Sequence, residues 1–427
     1  MSAEAMTADS IPKEKHHVAF FRQSGWLMIA NVAGGMLMWA VHLLSKKIPE
    51  AEYGVFGTLL AVIMVVPALP LQMVFAQQTA KALATNRQGE LSGMIRLMWL
   101  CTTVLWVVVA AAALLMQGWI VEQWKLGSAV GLWAVLPALL LSLWMPIFGG
   151  VLQGAQNFLW LGWTMIINAL GRSMLAAALV LFVVGNAVSL MAGVLAGMLA
   201  AGGIAIWQSK PYWSTPTMSF DWRSLLKQVL PLMIGFAAFQ FLFTADTMFV
   251  KAYFSKDETA FYVSAGTLSR ALMWLVMPLA TVMFPRLVHS AAKSEKSNLM
   301  GMVLLGTAVL AVCGAIGLTV LGPWVVKFVF KPSYVDVATK VLPWYAFAMV
   351  PIAVANVLLN DLLARGVYRV VLPLVVLVVV YAFALTRFHE SLIMVLQTLG
   401  IFGLGALVVC ALVSWRSPQP AVSAPQA

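Results

Sequence analysis

Long apolar runs alternate with short polar breaks along the whole chain. Twelve of these runs approach or exceed the roughly 20 residues that a helix needs to cross the hydrocarbon core of a bilayer. Charged or turn-rich segments separate them, and the weakest break, between the fifth and sixth runs, is marked only by Gly185 and Asn186. The pattern predicts an all-α polytopic membrane protein with transmembrane helices at residues 24–44, 54–76, 93–116, 129–152, 158–184, 187–207, 225–250, 260–284, 299–321, 341–363, 367–386 and 390–414.

The composition supports a lipid environment. Of the 427 residues, 62% are hydrophobic and only 10% are charged, and the mean hydropathy is +0.93. Soluble domains are roughly 45–50% apolar and about 25% charged, so a soluble fold is excluded. The net charge of +11 is best assigned to cationic loops beside the spans, and we expect no nucleic-acid partner.

The distribution of Lys and Arg orients the predicted helices. With the N-terminus inside, 15 of the 26 cationic residues fall in cytoplasmic segments, nine in outer segments and two within the membrane. By the positive-inside rule, both termini are predicted to face the cytoplasm. The polar N-terminal segment lacks the apolar core of a secretory signal, so we expect the first run to remain as a span.

A short pattern recurs in the second and eighth runs. EYGVFGTL (52–59) and FYVSAGTL (261–268) share Tyr, Gly, Thr and Leu at one constant offset. The match could arise by chance in a biased composition, or it could reflect two six-helix halves with the substrate between them. The second interpretation predicts an N-terminal bundle at 1–207, a cytoplasmic linker at 208–223, a C-terminal bundle at 224–416 and a disordered tail at 417–427.

A permanent cation lies deep inside the fifth predicted helix. Arg172 follows Phe158 by 14 residues, which places it roughly 21 Å along the helix. Thr164, Asn168 and Arg172 are spaced by four residues and therefore share one face. A charge at the bilayer centre is costly, so that face is expected to border water or an anion.

Arg270 raises the same question in the eighth predicted helix. It can be neutralised by Asp246 of the seventh helix, as a buried pair that fixes packing, or it can contribute to an aqueous cavity. The two intramembrane arginines outnumber the one aspartate, and this excess suits an anionic cargo such as a phosphate group. Asn31 lies on a polar line of the first helix, although asparagine in a membrane more often serves as interhelical glue.

No group of residues indicates a cofactor or a metal. Three separate cysteines (Cys101, Cys313 and Cys410) form no CxxC pair, and the five histidines form no ligand set. A membrane enzyme would need clusters of acidic residues or histidines in substantial loops, and the short breaks between the spans do not contain them. We therefore expect a non-enzymatic protein without a cofactor.

Several segments resemble the bacterial polysaccharide-exporter family, the lipid-linked oligosaccharide flippases of the multidrug/oligosaccharidyl-lipid/polysaccharide (MOP) superfamily. LSKKIPEAEYGVFGTLLAVI is similar to the first outer loop and second helix of that family, and GVLQGAQNFLWLGWTMIINALGRSM to its fourth-to-fifth helix junction. ADTMFVKAYFSKDETAFYVSAGTLSRALMWLVMPLATVMFPRLV resembles its seventh and eighth helices. FKPSYVDVATKVLPWYAF resembles a later outer loop, but has Lys331-Pro-Ser-Tyr334 where the family usually has Gly-x-x-Tyr.

This resemblance implies a MATE-like fold with two bundles around a V-shaped cleft. It also implies a multi-pass protein of the bacterial inner membrane that moves an undecaprenyl-pyrophosphate-linked oligosaccharide to the outer leaflet, driven by an ion gradient. A polysaccharide polymerase and glycosyltransferases would be its partners. The expected substrate-binding residues are Arg172, Arg270, Asn168 and Asn31, and the expected ion-coupling residue is Asp246.

Three other interpretations stay open. A multidrug exporter of the same superfamily would favour acidic residues in the membrane, and only Asp246 qualifies. A major-facilitator transporter of a small organic anion would carry Gly-x-x-x-Asp-Arg after its second helix, which AQQTAKALATNRQGE lacks. A non-transporting scaffold in a glycan-assembly complex is compatible with the same pattern.

Overall fold

The fold, seen in a computed structural model, consists of helices joined by short connections. The structure describes the backbone of residues 13–292 and 299–417, and the side chains of residues 25–273, 275–276 and 300–417. The α-helices are α1 (Lys13–Ala40), α2 (Glu50–Met64), α3 (Ala68–Ala84), α4 (Gln88–Leu115), α5 (Gln117–Gln123), α6 (Val130–Gly154), α7 (Phe158–Phe182), α8 (Ala187–Gln208), α9 (Lys210–Trp213), α10 (Trp222–Tyr253), α11 (Lys256–Ala292), α12 (Leu299–Val329), α13 (Val335–Ala364), α14 (Val371–Arg387) and α15 (Leu392–Arg416).

Eleven helical segments in the part of the chain that the structure describes are long and apolar enough to cross a membrane. They coincide with eleven of the twelve predicted spans. The remaining prediction, 260–284, falls inside α11, a single helix of 37 residues. The prediction of a multi-pass all-α membrane protein is therefore confirmed, while most of the predicted tail, residues 418–427, lies outside the described residues.

The first two spans differ in detail from the prediction. After α1 the chain continues as a 3-10 helix, Val41–Lys47. The second span is not one helix at 54–76, because it is broken between α2 and α3 at Pro67. Proline lacks the amide hydrogen needed to continue a helix and disfavours the helical conformation of the residue before it.

Helices α7 and α8 pack at backbone contact. A Cβ on Gly197 would lie 2.2 Å from the carbonyl oxygen of Asn168, and one on Gly193 would lie 2.6 Å from that of Arg172. Glycines at this spacing let membrane helices approach closely. The contact fixes α7, which carries both Asn168 and Arg172, against α8.

The two copies of the repeated pattern lie side by side. Helix α2 packs against α11, and α2 and α3 also contact α10. A Cβ on Gly57 would come 2.2 Å from the side chain of Val263, so α2 and α11 are also tightly packed. We call this interface, between the helices of residues 1–207 and those of 224–416, the seam; the division into two bundles at these bounds stays a prediction.

One end of the seam, which we call the loop end, is closed by polar contacts. Lys331 donates to the carbonyl oxygen of Ile48 at 2.6 Å and lies 3.5 Å from the carboxylate of Glu50. Lys125 donates to the carbonyl oxygen of Phe254 at 2.7 Å. The loop end therefore joins the two parts of the chain through charge-assisted hydrogen bonds.

The opposite end of the seam, the linker end, lies where the last turns of α3 meet the start of α10. Gln78 of α3 donates to Gln228 of α10 at 3.2 Å, and a cavity of about 520 Å³ lies beside this contact. Charged groups of both signs line it, namely Lys81, Arg87, Glu90 and Asp221. The Lys and Arg distribution predicts that this end faces the cytoplasm.

Candidate functional site

Arg172 is buried in α7 with little to balance its charge. The residue is 9% exposed, and its Nε atom has no hydrogen-bond partner in the described part of the chain. Among the described residues, no carboxylate forms an ion pair with it. A buried charge is normally paired or hydrogen-bonded, so Arg172 is a guanidinium with unused capacity to bind an anion.

The three polar residues that the sequence analysis groups with Arg172 differ in where they lie. Thr164 donates to the carbonyl oxygen of Leu161, one turn back. Asn168 is half-buried, one turn from Arg172 on the same face. Asn31, on α1, is exposed. The prediction that these side chains contact a substrate stays a prediction.

A chain of polar side chains leads from the surroundings of Arg172 to the seam. His42 lies on the 3-10 helix Val41–Lys47, which packs against α7, and its Nδ1 is 2.8 Å from the hydroxyl oxygen of Tyr53. The same hydroxyl is 3.4 Å from Oγ1 of Thr267 on α11. Tyr53 is fully buried, so it links a group near Arg172 to the helix that carries Arg270.

Arg270 has the partner that Arg172 lacks. Its Nη2 lies 2.9 Å from Oδ1 and 3.2 Å from Oδ2 of Asp246, and also donates to Oγ1 of Thr247 at 2.8 Å. Asp246 is completely buried, whereas the Arg270 side chain is 13% exposed. Of the two predicted arrangements for these residues, the structure shows the ion pair between α10 and α11.

Two tyrosines complete the coordination of Asp246. Tyr262 donates to its Oδ2 at 2.7 Å, and Tyr345 of α13 donates to the same oxygen. The carboxylate thus accepts hydrogen bonds from α11 and α13 while it belongs to α10. This cluster, Asp246, Tyr262, Arg270 and Tyr345, ties three helices together.

Several groups hold the guanidinium of Arg270, and one of its edges has no partner among the described residues. Its Nε donates to the carbonyl oxygen of Phe243 at 3.2 Å, and the group lies 5.5 Å and 5.4 Å from the ring centroids of Phe243 and Tyr345. Nη1 has no hydrogen bond to the residues that the structure describes. Arg270 can therefore offer one edge to an anion without giving up Asp246.

Some of the residues around Arg172 and Arg270 were predicted from the sequence, and others were missed. Asp246 and Arg270 come together, and Asn168 and Arg172 share a face, but the structure places Asn31 on an exposed part of α1. Tyr345 was missed because nothing in its own segment marks it as a partner of a residue 99 positions away. Tyr262 carried a signal as a member of the repeat, but that signal pointed to two six-helix halves and not to a contact with Asp246.

The architecture matches solved membrane transporters. The chain is similar to the lipid II flippase MurJ in an inward closed conformation, with a TM-score of 0.68 and 13% identity over 93% of this chain and 88% of that one. It is also similar to an inward-facing multidrug resistance MATE transporter of the MOP superfamily, with a TM-score of 0.65 and 11% identity over 93% and 99% of the two chains.

A mutant of the Vibrio cholerae MATE transporter VcmN gives a TM-score of 0.59 and 14% identity over 92% of this chain and 97% of that one. The fold is that of the multi-pass membrane transporters and flippases of the MOP superfamily. Residues 20–291 match the model of the family described as polysaccharide biosynthesis protein. Because the match spans more than half of the chain, the chain belongs to this family. No curated protein sequence matches it.

Proposed function

We propose that this protein flips an oligosaccharide linked to undecaprenyl pyrophosphate from the inner to the outer leaflet of the bacterial inner membrane. The flipped unit would serve the export of a polysaccharide such as O-antigen, capsule or exopolysaccharide. One observation carries the proposal: Arg172 is buried within a membrane helix and has no carboxylate partner among the described residues.

The chemistry of a diphosphate suits this site. A guanidinium presents its donors in a planar fork that matches phosphate oxygens, and it stays charged in proteins. A diphosphate that enters beside Arg172 would supply the charge that the helix lacks, and the free Nη1 edge of Arg270 would offer a second contact. The polyprenyl tail would remain in the bilayer throughout.

Asp246 is the proposed ion-coupling residue. Its carboxylate holds Nη2 of Arg270, so a proton or a cation bound there would weaken that hold. Arg270 would then be released for the phosphate. Carboxylate and phosphate thus compete for one guanidinium, which links an ion gradient to cargo binding in an alternating-access cycle.

Family and fold support a transporter rather than an enzyme. The polysaccharide biosynthesis family and a fold shared with a lipid II flippase both agree with a lipid-linked cargo. A polysaccharide polymerase and glycosyltransferases would act before and after the flipping step. Carriage of drugs or of small organic anions, and a non-transporting scaffold role, are the alternatives that the experiment must separate.

The test is flipping of a fluorescent polyprenyl-diphosphate oligosaccharide by purified protein in vesicles. Arg172→Ala should lower the initial rate about 100-fold, since a charge-assisted contact worth roughly 2–3 kcal/mol is lost. Arg270→Ala should also slow flipping, and Arg172→Lys should retain part of the rate because a point charge remains. Arg387→Ala, an exposed arginine at the end of α14, is the matched control.

Unchanged rates in both Arg172→Ala and Arg270→Ala would remove the cationic site from the mechanism. A wild-type protein that ignores the diphosphate lipid but moves a free organic anion would establish the small-solute alternative. Inactivity toward both, in a folded protein, would favour the scaffold.

A further inference from the structure

A second cation is left without a partner, away from the cluster around Asp246. Lys251 is one of the largest fully buried side chains, with 0% exposure. Its Nζ has no hydrogen-bond partner among the residues that the structure describes. A buried ammonium is unfavourable unless it is paired, so this residue needs an explanation that packing does not give.

Lys251 lies where the seam closes at the loop end. Three charged groups are near enough to act on it, Lys125, Lys256 and Glu52. Lys125 reaches across the seam to the carbonyl oxygen of Phe254, one turn beyond Lys251. Glu52 accepts a hydrogen bond from the backbone amide of Ala187 at 2.8 Å, so the single acid is already engaged.

Lys251 is therefore buried near two other ammonium groups, of which Lys125 is half-buried and Lys256 is exposed. Like charges that lie close together repel, and the burial of Lys251 removes water that would screen its charge from the other two. Opening of the loop end would hydrate Lys251 and lower this repulsion. The same opening would expose a site with an excess of positive charge, which suits a phosphate group.

Lys251 lies on the same helix as Asp246, the partner of Arg270. It follows Asp246 by five residues, which is about 7.5 Å along the helix axis. The loop end lies in this direction, because α10 ends at Tyr253. Lys251 is thus the next cation along α10 from the Asp246–Arg270 pair toward the end that must open for release.

We propose that Lys251 is an exit-side anion-binding residue, which receives the phosphate group of the cargo once the loop end opens. The inference rests on the proposed function for the identity of the cargo. Its chemistry, recognition of a phosphate by an unpartnered ammonium with two further lysines nearby, can be tested without that cargo.

The first experiment measures opening with inorganic pyrophosphate as the probe. Spin labels are placed at Ser128 and Asp257, on opposite sides of the seam at the loop end, in a variant that lacks Cys101, Cys313 and Cys410. In nanodiscs, pyrophosphate should raise the population with the longer label distance. Lys251→Met should favour the short distance and abolish the response, whereas Lys340→Met, an exposed lysine of α13, should respond like the wild type.

The second experiment follows flipping of the diphosphate oligosaccharide. Lys251→Met should slow flipping about ten-fold, because the exit-side contact is lost. Lys251→Arg should retain most of the rate, since the charge is kept. This rescue separates anion binding from a purely structural role, in which the larger arginine would harm the closed seam as much as methionine does.

The outcomes distinguish this inference from the proposed function. Pyrophosphate that opens Lys251→Met as it opens the wild type, or that opens neither, overturns the role of Lys251. So does equal loss of flipping in Lys251→Met and Lys251→Arg. A Lys251-dependent response to pyrophosphate in a protein that flips no lipid-linked oligosaccharide would retain the anion site and reject the cargo.

Discussion

Arg172 and Arg270 are both arginines within membrane helices, yet their surroundings differ. Arg270 donates to Asp246, Thr247 and the carbonyl oxygen of Phe243 and lies over two aromatic rings. Arg172 has an unpartnered Nε and no carboxylate among the described residues. The comparison teaches that depth in the membrane does not fix the role of a charge: the partners that the fold brings to it do.

The physical basis of the difference is desolvation. Removing an ion from water costs several kcal/mol, and a partner at hydrogen-bond distance offsets much of this cost. For Arg270 the offset comes from within the protein, so its cluster holds three helices together. For Arg172 we infer that the offset comes from water or from cargo. Substitution of Asp246 should therefore mainly lower stability, whereas substitution of Arg172 should mainly lower the flipping rate.

The largest effect on stability is expected at Asp246. Asp246→Ala leaves Arg270 buried without its counter-charge and leaves the hydroxyls of Tyr262 and Tyr345 without an acceptor, which should lower the free energy of unfolding by about 3–5 kcal/mol. Denaturant unfolding in detergent measures the change. Asp336→Ala, at an exposed position in the first turn of α13, is the control and should cost less than about 1 kcal/mol.

The double variant Asp246→Leu with Arg270→Met sharpens this first prediction. Replacing both members of a buried pair by apolar residues removes the desolvation cost as well as the attraction. The double variant should therefore be more stable than Asp246→Ala. If the double variant were no more stable than Asp246→Ala, the ion pair with Arg270 would not explain the contribution of Asp246 to stability.

A smaller effect is expected at the contact that holds the helix of Arg172. A Cβ on Gly197 would lie 2.2 Å from the carbonyl oxygen of Asn168, whereas one on Gly203 would meet nothing within 4 Å. Gly197→Ala should lower the free energy of unfolding by about 1–3 kcal/mol through overpacking. Gly203→Ala, in the same helix, should be neutral or raise it by up to about 1 kcal/mol. Similar values for the two variants would contradict the backbone contact between α7 and α8.

The hydrogen bond across the seam should contribute less. Tyr53→Phe removes the hydroxyl between His42 and Thr267, which should lower the free energy of unfolding by about 1 kcal/mol. Tyr253→Phe is the matched control, because Tyr253 is exposed and its ring stacks on His389. Since the two distances are 2.8 Å and 3.4 Å, a double-mutant cycle should give more coupling of Tyr53 with His42 than with Thr267.

The smallest change in stability is expected at Arg172 itself. Arg172→Met keeps an unbranched apolar stem and removes an uncompensated charge, so the free energy of unfolding should change by less than about 1 kcal/mol. The flipping rate should nevertheless fall as it does for Arg172→Ala. A loss of stability as large as that of Asp246→Ala would show that Arg172 has a structural partner after all.

The positions of most helices could be predicted from the sequence because the lipid bilayer surrounds them all and constrains them in the same way. In hydrocarbon, every span must satisfy its own backbone hydrogen bonds, so length and apolarity located the helices, and Gly185 and Asn186 marked the shortest break. Pro67 was visible too, but its consequence, a complete interruption between α2 and α3, depended on how the chain packs on either side of it.

Less of the candidate site than of the fold could be predicted from the sequence. The sequence by itself determined that two guanidiniums lie within membrane helices, since composition and position along a helix suffice for that. Only the tertiary structure decided that Asp246 and Tyr345 satisfy one of them, that Gly193 and Gly197 hold the helix of the other, and that Lys251 is buried at the seam. Hydrogen bonds and burial depend on side chains brought together from distant helices within a few ångströms, and helical periodicity sets only the face on which a residue lies, not what faces it.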